Sequence, residues 1–274
     1  MDSGVIDVRL RAGKDGIAAR SFTRVMNEFT VALEEIDRIV EPSRGARPTW
    51  AVVHTSWKSG QGAVVRLAPR LPKTRALYVP DPALPSRALW RGLKTLETRP
   101  EIPEAFSERI VERISSVREE VARKGSGLEA VSLLGELEAS GHRSTVDVSE
   151  TVGENARQAV EPASLAFGSV VGTLDIISAR RQRKRVGLLI DHGPAITCSV
   201  NGLSEDEIFA AFDKRVIAEG VLRRNGRGQA VRMDVSRLEI VEPASSIRVA
   251  DLWGALPASN SAETAVEFIR RQRG

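Results

Sequence analysis

Between residues 167 and 242 the hydrophobic period changes in a fixed order, and few folds satisfy that order. Residues 168–177 are a long apolar run of strand character, followed by a basic run holding Arg180, Arg181, Arg183, Lys184 and Arg185. Two shorter strand-like runs, 186–190 and 195–200, flank a turn at Asp191, His192, Gly193 and Pro194. Ser204 and Glu207 then stand at capping-box spacing, each side chain placed to bond the other's backbone N–H. Ile208, Phe209 and Phe212 fall on one face of the short helix behind that cap. Two last strand-like runs, 216–222 and 229–241, flank Arg223, Arg224, Asn225, Gly226, Arg227 and Gly228. Asn-Gly is the strongest short hairpin signal. The predicted order is strand, strand, strand, helix, strand, strand.

That order resembles the OB-fold, a partly open five-stranded barrel that binds oligonucleotides or oligosaccharides. The resemblance covers a little over a quarter of the chain and rests on element order and turn chemistry, not on a catalytic signature. It implies a ligand lying across barrel strands two and three, flanked by the loop joining strands one and two and the loop joining strands four and five. Here those loops carry Arg180, Arg181, Arg183, Lys184 and Arg185 on one side and Arg223, Arg224 and Arg227 on the other. The expectation is a nucleic-acid backbone held between two cationic banks, with counterion release on binding. Arginine suits bidentate phosphate contacts. Exposed hairpin tips are also commonly charged for solubility alone. One departure concerns aromatics. Single-strand-binding barrels stack bases on rings projecting from the sheet, and residues 186–190 and 195–200 contain none. Phe209 and Phe212 are expected to plug the barrel bottom.

The preceding region reads as an α+β layer, an antiparallel sheet with packed helices. Residues 5–10 alternate as a half-buried strand, and Phe22, Val25, Phe29, Leu33, Ile36 and Val40 mark one face of a helix over residues 17–40. Residues 50–55 and 63–67 suit a hairpin whose tip carries Trp57 and Lys58. Residues 68–85 hold five prolines and read as a loop or extended arm. Helical periods recur at 86–97 and from Phe106 to Val121. Residues 128–137 and 143–148 suit a second hairpin, although the first of them reads equally as helix. Thr151 and Glu154 have capping-box spacing and open a helix to about Val160. The breakers at residues 161–164 suggest domains at 1–163 and 164–243. A tail at 244–274 carries a short helix over 262–271.

The 40 basic residues against 36 acidic ones leave a net charge of only +4, so bulk charge says little about a nucleic-acid partner. No basic-then-apolar leader opens the sequence and no apolar run spans a bilayer, so a cytoplasmic protein is expected. Cys198, the single cysteine, sits in an apolar run and reads as a buried hydrophobe in a reducing compartment. His54, His142 and His192 have no metal-ligand spacing. Lys124, Gly125, Ser126 and Gly127 lack the full phosphate-loop pattern and suit a helix stop. No catalytic residue, metal or cofactor is therefore predicted. The expected function is non-enzymatic binding of nucleic acid through the two arginine loops. The alternative is a protein-interaction or scaffolding module, such as the neutralising member of a small bacterial operon. On that reading the barrel and tail helix bind a partner chain or a second copy. Trp57, Lys58, Trp253 and Ile269 are the candidate partner contacts.

Overall fold

Strict alternation in β1 (Ile6–Ala12) buries Ile6, Val8 and Leu10 on one face and makes this the middle strand of a sheet. In this computed structural model, residues 4–41, 47–58, 61–70, 81–136, 143–180, 183–190 and 193–241 are described. β1 pairs antiparallel with β3 (Gly62–Arg70) and β4 (Leu128–Glu136). The edges are β2 (Thr49–Lys58) and β5 (Arg143–Asp147), also antiparallel, giving the order β2-β3-β1-β4-β5. Four helices cover its buried face: α1 (Ala19–Val40), α2 (Leu84–Thr98), α3 (Glu108–Ala122) and α4 (Glu150–Val160). Phe29 and Leu33 of α1, Leu93 of α2, Ile110 and Val117 of α3 and Val152 of α4 join the strands in one apolar core. The class is α+β, as expected.

Several local expectations shift. Residues 128–136 are strand, because pairing with β1 on one side and β5 on the other decides a run whose intrinsic preference is ambiguous. Ser149, not Thr151, caps α4, accepting from the Val152 N–H at 3.2 Å. Trp57 and Lys58 lie in β2 itself, paired with Ala63 and Gly62, not in the hairpin tip. The turn after α3 is structural: Gly127 has φ +70, and a Cβ there would come within 2.0 Å of the Gly16 carbonyl oxygen.

The opposite sheet face carries a buried carboxylate. Asp7 is held by Arg66 (2.7 and 3.1 Å) and Arg143 (3.0 Å) from neighbouring strands. Burial raises its pKa, but the two guanidiniums outweigh burial and leave it below the ordinary value. A depressed carboxyl contributes stability at neutral pH that is lost as pH falls below about 4. Asp7→Asn should therefore destabilise the fold by about 1–2 kcal/mol at pH 7, the partly exposed arginines screening the rest. The difference from wild type should vanish in acid melts.

The second half is a ring of five strands: β6 (Ser164–Arg180), β7 (Arg183–Ile190), β8 (Ile196–Ser199), β9 (Arg215–Arg224) and β10 (Ala230–Ile240). The closed barrel runs β10-β8-β7-β6-β9, with β8 and β10 parallel and every other pair antiparallel. β6 serves two neighbours, pairing with β9 over residues 164–173 and with β7 over residues 172–180. The changeover falls at Gly172, where a Cβ would lie 2.4 Å from the Leu189 carbonyl oxygen. α5 (Glu205–Ala211) joins β8 to β9 and starts at the expected capping box of Ser204 and Glu207. Phe209 and Phe212 do not plug the barrel. Ile208 and Ala211 turn inward, while the two phenylalanines stay 64% and 45% exposed. A two-turn helix has one narrow contact stripe, and Phe212 lies past its end.

A polar clasp joins the barrel to the helical layer. The Gln229 side chain bonds both backbone groups of Ile102, accepting from its N–H at 2.8 Å and donating to its carbonyl at 2.9 Å. Asn225 is buried and donates to the Ala159 carbonyl at 2.7 Å. Ala195 donates to the Phe106 carbonyl at 3.2 Å. The chain up to Ile240 is one compact unit. Among the described residues no helix is long and apolar enough to cross a membrane.

Candidate functional site

The basic residues expected at the barrel loops lie mostly in strands. Arg180 closes β6 opposite Arg183 of β7, and Lys184 and Arg185 continue β7 opposite Ala179 and Ser178. Arg181 falls outside the described residues. Arg223 and Arg224 end β9, and only Arg227 sits in the turn. Charge does not stop a strand whose backbone partners continue. The predicted loops are therefore shorter than the charge runs.

Strand register then decides which cations meet. Arg185 lies opposite Ser199, Thr197 opposite Arg232, and Arg232 opposite Arg223. Lys184, Arg185 and Arg223 consequently line one cleft of ≈ 270 Å³ over the outer face of β7, β8 and β10. Its far wall is the first turns of α3, which contribute Glu108, Arg109 and Glu112. Arg224 and Arg227 are not among its lining residues. Arg224 donates to the Gly228 carbonyl at 2.7 Å and so stiffens the turn.

Most of these charges are already matched. Arg232 donates to Glu108 at 2.7 Å and Glu112 at 3.1 Å, Arg223 lies 3.2 Å from Asp234, and Lys184 lies 3.2 Å from Glu205. Burial pushes the Glu108 carboxyl up, with Arg232 opposing. Arg109 and Arg185 make no hydrogen bond or ion pair among the described residues, and both line the cleft. They also border a crevice of ≈ 30 Å³ that reaches inward to Asp175, Glu35 and Ser107. Ser107 donates to Glu35. The Asp175 Oδ1 is buried with no hydrogen-bond partner, and burial raises its pKa to about 6.

Arg109 and Arg232 were not expected at the site. Arg109 is remote in sequence, on a helix whose only legible signal is its apolar stripe. Arg232 alternates correctly in its strand, so its outward direction was readable but its neighbours were not.

The remaining candidates are scattered. His54 is exposed on the edge strand β2, and Trp57 and Lys58 are exposed there too. His142, His192, Trp253 and Ile269 lie outside the described residues. Cys198 is buried in the barrel core, and burial pushes its thiol up to about 12. Among the described residues no group of three or more His, Cys, Asp or Glu side chains is placed to hold a metal. No family model matches the sequence, and neither a curated protein nor a solved structure matches it significantly.

Proposed function

We propose that the barrel is an OB-type module that binds a nucleic-acid backbone in the cleft between β7–β8–β10 and α3, within a non-enzymatic, cytoplasmic protein. The reading rests on one observation: Arg109 and Arg185, both without a hydrogen bond or ion pair among the described residues, border a cleft that Lys184 and Arg223 also line. Unpaired guanidiniums on a concave wall suit phosphate oxygens. The matched cations contribute shape and hydrogen-bond donors more than net charge.

The test is fluorescence polarisation with labelled oligonucleotides over a salt series. Affinity should fall with salt, and Arg109→Ala with Arg185→Ala together should weaken binding at least about 10-fold and flatten the salt slope by about 1.5. Neither side chain is bonded, so thermal stability should be unchanged. Salt-independent binding, or full affinity in the double variant, ends the proposal.

A second reading, a protein-interaction module, draws on β2. Val52, Val53 and Trp57 are 53%, 47% and 55% exposed on an edge strand without an acidic residue, and such edges pair with other strands. A salt-insensitive complex lost in Val53→Pro would favour it.

A further inference from the structure

The outer barrel surface beside the cleft is apolar. Phe167 of β6 is 73% exposed, more than any other large hydrophobic side chain among the described residues, and Leu165 is 62% exposed. Register places them next to the cleft. Leu165 lies opposite Arg223, and Phe167 lies opposite Val221, itself 37% exposed and opposite Asp234. Asp234 lies opposite Ser199, and Ser199 opposite Arg185. One outward belt therefore winds around the closed barrel from Arg185 across β8, β10 and β9 to Phe167, a path of four inter-strand steps or about 19 Å. It begins at an unpaired cation, passes hydroxyl and ionic groups, and ends on an aromatic ring beside Arg223.

We propose that Leu165, Phe167 and Val221 form a base-stacking wall, so that the cleft's ligand is a single-stranded nucleic acid. This rests on reading the cleft as a phosphate site. A single strand presents phosphates and unstacked bases alternately, matching cations at one end of the belt and an aromatic face at the other. A duplex keeps its base faces inside the stack, and a phenyl ring reaches them only by unstacking and kinking it at a cost of about a few kcal/mol. Aromatic–base stacking also tolerates any base, because every base has a π-face. The ring is free to serve: it points outward and is 73% exposed, and its cross-strand partner Val221 is itself 37% exposed.

The experiment compares three labelled probes on the full chain: a single strand of about ten nucleotides, the same strand without bases, and the duplex. Wild type should prefer the single strand over both others. Phe167→Ala should weaken single-strand binding about 5- to 100-fold and leave the abasic strand unaffected. Phe167→Trp should bind at least as well as wild type, with indole fluorescence quenched on binding. If Phe167→Ala folds poorly, Phe167→Leu keeps the apolar surface without the ring and should show the same selective loss. Equal affinity for duplex and single strand, or unchanged single-strand affinity in the leucine variant, overturns the stacking wall. If the Arg109/Arg185 double variant still loses binding in that case, the phosphate reading survives. Absence of binding by all three probes removes both.

Discussion

Asn225→Ala should lower the unfolding free energy by about 3–4 kcal/mol, the sum of several orphaned polar groups. Asn225 is only 3% exposed. Its amide nitrogen donates to the Ala159 carbonyl at 2.7 Å and to Gln229 Oε1 at 3.0 Å. Its oxygen accepts from the backbone N–H groups of Arg227 and Gln229, both at 3.0 Å. Alanine removes all four bonds and leaves a methyl too short to fill the site. Because Gln229 is positioned by Asn225 and itself holds Ile102, the loss spreads to the joint between barrel and helices. Chemical denaturation checks the magnitude. Asn225→Asp is the informative control, since it keeps the acceptor and sets a carboxylate against the Ala159 carbonyl. A loss under about 1 kcal/mol for alanine would show that the turn holds without its side chain.

Asp175→Asn should act in the opposite direction. The Asp175 carboxyl titrates near pH 6, raised chiefly by burial from the ordinary 3.8. In the folded chain it keeps its proton where the unfolded chain releases it. Wild-type stability is thus complete below about pH 4 and declines as pH rises through 6. The ceiling on that loss is about 3 kcal/mol, and the shift it is taken from already includes the opposing charges of Arg47 and Arg38, which favour the ionised form. An amide cannot ionise. The asparagine variant should be about 1–2 kcal/mol more stable than wild type at pH 7 and equal to it near pH 4. Melting curves at both pH values decide the matter. A parallel pH dependence in the two proteins would mean that Asp175 is not the titrating group.

Local chemistry was legible in the sequence, and distant juxtaposition was not. The capping box of Ser204 and Glu207 is a three-residue relation and appears as read. The turn at Asn225 was also recognisable, but its asparagine is a buried connector to Ala159 and not an exposed tip. Of the eight basic residues expected in two loops, Lys184, Arg185 and Arg223 line one cleft, and Arg224 and Arg227 do not. The sequence does not show that Asp234, Glu205 and Glu108 neutralise much of that charge, because ion pairing depends on register between strands and across to a helix. Phe167 was hidden by ambiguity. Residues 165–171 carry apolar side chains on both alternating faces, Leu165, Phe167 and Val171 on one and Ala166 and Val170 on the other, so periodicity alone cannot say which side meets water.

The double service of β6 bears on how the chain reaches its native state. Neither partner of that strand completes the ring, and the last seam, β8 against β10, brings residues 197–199 to residues 232–234 in parallel. Such a seam cannot form by local zippering and must await the whole segment, which makes barrel closure a late, all-or-none event. The helical layer has no such requirement and can assemble on the ribosome while the closing strand is still being synthesised.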